Sequence, residues 1–544
     1  MSATCELLVL GGAVLTPEVL GAGTVSGAAA AAAGYVAISG GVIVGVGPAA
    51  DAADWSAERI IDLGDATIAS GFIDAHIHPI MGLQMTRGVD LSGLMEWDQV
   101  RAALAEHISG CDDPWVFGWG LDPNAFGSGE ASFTLFDGID CGRPVYVTLF
   151  DGHSAVVSRE ALRIAGITGR EIFADASSVV VDSLGAPTGL LLELSAQALL
   201  WPHLPEQTFA DRVDALEALF RGMAESGLVA GQMLDLSAPD SFELLEAVEA
   251  RAELGIRLRI SPFVMPGFTD ADLDQVVDLQ STGGRRWQVK GVKLMIDGTI
   301  DNGTAWLFEP DARGESTDSL WLDEGEYRRA VAYLHDRGIP TTTHAIGDKG
   351  IAFVAETLAA LDGNGTQHRI EHIETLPDEV LDTIANAGIA ASMQPTHCTH
   401  YSKADHSDNW STRLGDERAD RAWRIGDLRR RGVIVTLGSD WPIAPYDPRA
   451  SLGSAVLRRP TGRLEVEPVL PEQAISAAAA VEGYTSEYWR SVGEDGGRIE
   501  VGQRADLTVF ADNPLTTHPD VFAESPVLLT VIDGEVVVDR VAVR

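Results

Sequence analysis

The chain has 544 residues, enough for a large core and more than one small domain needs. Hydrophobic residues make up 45% and charged residues 22%, the balance of a soluble globular protein. The net charge of −41 argues against nucleic acid or an anionic membrane as main partner, since both call for a basic footprint.

The N-terminus, "MSATCELLVLGG", has no basic leader and carries Glu6 early, so no signal peptide is expected. Short strands punctuated by turn residues come first: "CELLVLGGAVLT", "GYVAISGGVIVGVG" and "RIIDLGDATIASG". Residues 20–50 lack charge. Glycines and Pro48 break that stretch, so it reads as two strands around a Gly-Gly turn and not as a membrane span. Cys5, Cys111, Cys141 and Cys398 follow no C-x-x-C spacing, which predicts neither a disulfide framework nor a thiolate zinc site and fits a reducing cytoplasm.

From about residue 70, strand-like runs alternate with helical ones. The strands are "ATIASGFIDAHIH", 227–235, 257–265, 289–298, 339–348, 368–374, 388–395 and 432–440. Helices such as "ADRVDALEALFRGMAESG" and "KGIAFVAETLAALDG" lie between them and run out near glycine. Eight such alternations predict an α/β fold, a (β/α)8 TIM-type barrel at 69–485. An open doubly wound sheet is the competitor, but no Gly-rich phosphate fingerprint follows the first strand. An insertion at about 95–205, with "PWVFGWGLD" and "RPVYVTLFDGHSAVVS", is expected over the barrel mouth. The C-terminal runs "ADLTVFADN" and "PVLLTVIDGEVVVDR" are β-rich again. They predict a small β-sandwich built from 1–68 and 486–544.

His76 and His78, two apart at the end of the first strand, face the same way. Lys293 lies near the end of the fourth strand, His344 ends the fifth, His372 the sixth and Asp440 the eighth. In a barrel these ends converge on the catalytic face. Four imidazoles, a carboxylate and an amine gathered there predict a site for one or two divalent ions, with zinc the expected metal. Only four of the 39 basic residues are lysines, so an amine inside an apolar strand points to a need for that group. Buried lysine loses its charge readily and can then form a carbamate with carbon dioxide.

The ordered set "GFIDAHIH", "DGHSAVVS", "PTGLLLE", "VKLMIDGT", "HAIGDKG", "RIEHIE", "SMQP" and "LGSDWP", with the tail "GRIEVGQRADLTVFADNPL", resembles the metal-dependent amidohydrolase superfamily. The resemblance is to its amidohydrolase-3, YtcJ-like branch, similar to N-substituted formamide deformylase. It implies that His76, His78 and Asp440 bind a first metal. It further implies that N6-carboxylated Lys293 bridges to a second metal held by His344 and His372, and it makes a homodimer the expected assembly.

The expected reaction is hydrolysis of a C–N amide bond, N-formyl or N-acyl, by a metal-activated hydroxide, with Asp440 as general base. No G-x-S-x-G elbow is present. A cyclic amide, an ester or lactone, or a deamination are alternatives at the same site, and a catalytically silent sensor is the alternative of another class. His153 is the candidate to contact a substrate oxygen, alongside Lys293 and Asp440 as catalytic groups. One of Gln394, His397 and His400 is expected to face the cavity. Glu193 reads as a packing or capping residue, Asp297 as orienting the turn after Lys293, and Asp348 as a helix cap. Trp115, Trp119, Trp306, Phe308, Trp410, Trp441 and Tyr446 predict a partly apolar pocket, hence an apolar or aromatic N-substituent on a small-molecule amide.

Overall fold

The computed structural model describes residues 3–26, 32–94, 96–110, 112–126, 131–236 and 238–541. Cys111 lies outside them; among the described residues Cys5, Cys141 and Cys398 are free thiols.

Both chain ends build the sandwich. One sheet runs Val42–Pro48, Gly34–Ser39, Ala3–Gly11, Trp55–Asp62, and the other Ala13–Val14, Thr67–Ser70, Leu507–Phe510, Val527–Ile532, Glu535–Asp539. Alternate residues of both sheets, including Val9, Val36, Ile68, Leu507 and Val531, share one apolar core. The expected Gly-Gly turn is present. Gly40 and Gly41 take φ of +58° and +74°, as a tight two-residue hairpin requires. No helix of the described residues is long and apolar enough to cross a membrane.

The run read as one first strand divides at Gly71. Thr67–Ser70 pairs with Leu507–Phe510 in the sandwich, and Phe72–Ile77 turns into the central parallel array. All eight expected strands of that array form: Phe72–Ile77, Leu228–Met233, Arg257–Ile260, Val292–Met295, Thr341–Ala345, Arg369–His372, Ala390–Met393 and Val435–Leu437. The fourth has a separate lead-in, Trp287–Val289, because Lys290 and Gly291 break its ladder. The hydrogen bonds describe two parallel arcs and not one closed ladder. The first three strands and the lead-in make one arc, and the fourth to eighth strands make the other. Single parallel bridges join them at both seams, Phe263 to Lys293 and Ile77 to Trp441. Both seams therefore carry residues of the expected site or their immediate neighbours.

Amphipathic helices cover the array. Phe209–Glu225 starts on Thr208, whose hydroxyl accepts from Asp211 N at 3.1 Å, and it buries Val213, Leu216, Phe220 and Met223 at helical spacing. These join Phe72, Leu228, Ile260, Leu294 and Ile370 in the main core.

Between the first and second strands stands a six-stranded sheet, ordered Ser178–Val181, Pro187–Leu192, Ser154–Val157, Val145–Leu149, Val116–Leu121, Val89–Asp90. Helix Trp97–Gly110 packs Val100, Leu104 and Ile108 on this sheet. The turn at 150–153 and the end of strand Pro187–Leu192 bring His153 and Glu193 to the ends of the central strands.

Candidate metal centre

His76 and His78 leave the first strand on one face, as the two-residue period requires. His76 Nε2 lies 3.2 Å from His78 Nε2. Asp440 Oδ1 lies 3.3 Å from the first and 3.1 Å from the second. Three donor atoms about 2.0–2.1 Å from one tetrahedral ion would be separated by about 3.3 Å, so this triangle has the size of one face of such a coordination shell. Lys293 Nζ lies 3.3 Å from His76 Nε2, beside the same triangle.

The tautomer of His76 suits a ligand. Its Nδ1 donates to Glu371 Oε2 at 2.7 Å, which leaves the Nε2 lone pair facing the triangle. Glu371 is itself held by Arg369 Nε at 2.5 Å, and Arg369 anchors on the Ala75 carbonyl at 3.0 Å. Glu371 stands inside the "RIEHIE" motif, but sequence reading passed over it. Its signal was the two-residue spacing from Arg369 in a fully buried strand.

Asp440 Oδ2 faces a second, looser group. His372 Nδ1 is 3.9 Å away and His397 Nε2 3.8 Å. Asp440 with His76 and His78, and Asp440 with His372 and His397, are both compact enough to hold an ion. His372 Nδ1, His397 Nε2 and Asp440 Oδ1 are buried and have no hydrogen-bond partner. Buried acceptors gathered without a donor between them suit a cation.

This second group keeps the expected His372 and adds His397, while His344 and Lys293 lie close by. His397, on the helix Pro395–Tyr401, stands opposite His372, and the aspartate carboxylate spans the two groups. His344 lies next door, its ring 4.5 Å from that of His372, with Nε2 on the Gly298 carbonyl at 3.1 Å. Gln394 approaches His76 at 3.5 Å, and His400 lines neither cavity beside the centre.

Electrostatics agree with ligand duty. Burial first, and then neighbouring cationic groups, hold His76, His344 and His372 well below the usual histidine range, so they are neutral donors. Burial brings Lys293 down to about 8 against the pull of Glu371 and Asp440. Burial alone would raise Asp440. His78, His397 and Lys293 outweigh it and keep the carboxylate ionised. Three residues here have positive φ without being glycine: His372 at 71°, Ile373 at 52° and Asp440 at 61°. Such conformations cost roughly 1–3 kcal/mol each, and they aim two of the donors.

His153 arrives from the inserted sheet. Its ring is 4.9 Å from that of His344, and its Nδ1 pairs with Glu193 Oε2 at 2.8 Å. Burial would lower it, but Glu193 and Asp151 prevail and raise it to about 9. Glu193 stands at the expected cap position, before the short helix Leu194–Gln197, but its side chain makes no cap bond and instead orients and charges His153. A Cβ on Gly298 would lie 2.0 Å from Glu193 Oε1, so the glycine makes room for this carboxylate. Asp348 departs from expectation too. Gly347 is the helix N-cap, and Asp348, in the first turn, accepts from Phe308 N at 2.9 Å. Asp297 does order the turn after Lys293. It accepts from the backbone N–H groups of Trp306, Ile346 and Gly347, tying the ends of the fourth and fifth strands together.

Two small cavities flank this centre and share Asp151, His153, His344, His372, Asp440 and Ile443. One is lined by Met81, Met85, Leu194, Phe263 and Met295. The other holds Asp151, Asp301 and Glu374 among Phe150, Tyr401, Trp410 and Trp423. Of the aromatic residues expected at the mouth, Trp410 alone lines either cavity; Trp115 and Trp306 are core residues and Phe308 is exposed.

Parallel strands ending in an H-x-H pair, further imidazoles and a shared aspartate define the class of metal-dependent hydrolases. Residues 59–538 match the amidohydrolase family, and the chain belongs to it, in the amidohydrolase-3 branch. It is 28% identical over 496 residues to YtcJ of Bacillus subtilis, covering 88% of this chain and 90% of that one. It is 23% identical over 530 residues to N-substituted formamide deformylase of Arthrobacter pascens, covering 92% and 94%. Among solved structures, a metal-dependent hydrolase of Pyrococcus horikoshii superposes with a TM-score of 0.69 at 22% identity, covering 94% of this chain and 99% of that one.

Proposed function

We propose that the protein hydrolyses a C–N amide bond, N-formyl or N-acyl, in a small molecule with an apolar or aromatic N-substituent. The two arcs are read as one distorted (β/α)8 barrel whose seams open at the metal site. The observation that carries the reading is the triangle of His76 Nε2, His78 Nε2 and Asp440 Oδ1, with edges of 3.1–3.3 Å. Zinc is the expected ion, because imidazole and carboxylate donors at tetrahedral spacing suit it. When bound, the metal supplies polarisation of the amide carbonyl and a lowered pKa for water.

The protein's own groups do the rest. Asp440 is ionised and reaches both ligand groups, so it can take a proton from the attacking water and pass it to the leaving amine. His153, charged by Glu193, would donate to the carbonyl oxygen as negative charge grows there. Lys293, with part of its population neutral near pH 7–8, is available for carboxylation. Met81, Met85, Leu194, Phe263 and Met295 offer an apolar wall for the N-substituent. The likeness to a formamide deformylase supports amides over esters or aminopyrimidines.

The test is a panel of N-benzyl amides, esters, lactones and aminopurines assayed with zinc-loaded protein. The amides should turn over fastest, and their hydrolysis should vanish on chelation and return with zinc. Faster hydrolysis of the esters or deamination of the purines would displace this reading.

A further inference from the structure

The second cavity beside the metal centre is unlike the first. Asp151 and Asp440 line both cavities, but Asp301 and Glu374 line only this one. Asp151 is fully engaged: Thr299 Oγ1 donates to Oδ2 at 2.7 Å, Asn302 donates there too, and His153 N donates to Oδ1 at 3.1 Å. Asp301 and Glu374, each 7% exposed, are satisfied on one oxygen only. Asp301 Oδ1 accepts from Asn409 Nδ2 at 2.9 Å, and Glu374 Oε2 from Trp410 Nε1 at 2.7 Å. Among the described residues the other oxygen of each accepts no hydrogen bond, and no arginine or lysine pairs with either. Burial first, and then the neighbouring carboxylates, push both groups up to about 8, so without a cationic partner they hold their protons near neutral pH and a bound cation would draw them to the ionised form.

An independent observation also points to a ligand. The indole N–H of Trp423, 3% exposed and on the same cavity, has no acceptor in the protein, so the occupant must also bring a hydrogen-bond acceptor, such as a carbonyl oxygen of the substrate, to this wall. Trp423 stacks on Trp410 at 4.5 Å, and Phe150 lies against Tyr401 at 4.0 Å, so the walls are π faces. Open carboxylate oxygens between aromatic faces select a cation that donates hydrogen bonds.

We propose that this chamber is a cation subsite, which receives the ammonium or guanidinium end of the substrate's acyl arm while the amide lies at the metal centre. The inference rests on the amide reading above and narrows it. The N-substituent would lie along the methionine wall, and the opposite arm would carry positive charge. The substrate class is then N-substituted amides of basic acids, and a formyl group would leave this chamber unused.

Two measurements test it. The first compares N-benzyl amides of ω-amino acids of two to five carbons with the matching ω-hydroxy acid amides, using zinc-loaded protein. At the best chain length kcat/KM should favour the charged substrate by about tenfold or more, the scale of one charged hydrogen bond. That ratio should collapse towards one in Asp301→Asn and in Glu374→Gln. Because it is a ratio within one variant, it does not depend on how much of the variant is folded. The second titrates butylguanidinium and its neutral isostere butylurea into the zinc-loaded protein, read by tryptophan fluorescence. Only the cation should bind, and Asp301→Asn should weaken it about tenfold.

If the neutral amides are cleaved as well as the charged ones, the cation subsite is overturned while the amide reading stands. Butylguanidinium binding that is lost in Asp301→Asn, with no amide cleaved, overturns the amide reading and upholds the subsite. Equal binding of butylurea overturns the subsite.

Discussion

Asp440 carries the heaviest load of any side chain in the centre. One oxygen completes the triangle with His76 and His78, and the other faces His372 and His397. Asp440→Asn should keep the shape of the residue while removing its charge and its use as a base. A loss in kcat on the order of 10²–10⁴-fold is expected, with the far-UV circular dichroism unchanged. Activity within a factor of three of the parent would remove Asp440 from the chemistry. Glu371→Gln tests the buried support behind it. Without the carboxylate, His76 loses the bond that fixes its tautomer, and metal affinity should fall about 10–100-fold in a competition titration with a chelator. An unchanged affinity would mean that Glu371 serves the fold alone.

At the scale of elements, the strand ends were legible because each is an apolar run closing on a polar residue. The division of the fourth strand and the exchange of Thr67–Ser70 into the sandwich were not, since hydrogen-bond partners of adjacent short strands leave no trace in residue type. His397 is one of three candidates after the seventh strand, with Gln394 and His400, and residue type alone does not single it out, because which of them faces inward depends on the local backbone. It is helix, and the helix turns His397 towards Asp440.

The fifth and sixth strands also carry a pH dependence away from the metal. His368 Nδ1 accepts from Thr341 N at 3.1 Å, while burial and His335 bring its pKa down from 6.5 to about 4. The folded value lies below the unfolded one, so between the two the unfolded chain binds more protons. Stability contributed by neutral His368 is present above about pH 6.5 and is lost as pH falls towards about 4. The unfolding free energy from urea titrations should drop across that window by up to about 3 kcal/mol, and less so in His368→Asn. Equal slopes for both proteins would assign the acid sensitivity elsewhere.

Over the whole molecule, the inserted sheet and the central strands meet through His153, Glu193 and Gly298, so substrate contact depends on how the insertion docks. Gly298→Ala would drive a methyl group into Glu193. It should reduce kcat/KM by disturbing His153 while metal content, measured by elemental analysis, stays at the parental value. Loss of metal instead would show that the insertion also holds the cage. The general plan, with sandwich, parallel strands and inserted sheet, follows from patterns along the chain. The acidic chamber does not, because Asp151, Asp301 and Glu374 come from separate segments and each resembles an ordinary loop carboxylate until the fold assembles them.

The most direct measurement is anomalous diffraction at the zinc edge from crystals grown with zinc. The account predicts a peak about 2 Å from His76 Nε2, His78 Nε2 and Asp440 Oδ1, with a second between Asp440 Oδ2, His372 and His397 if two ions bind. No peak at that triangle, with zinc in excess and the three side chains bonded directly to one another, would contradict it.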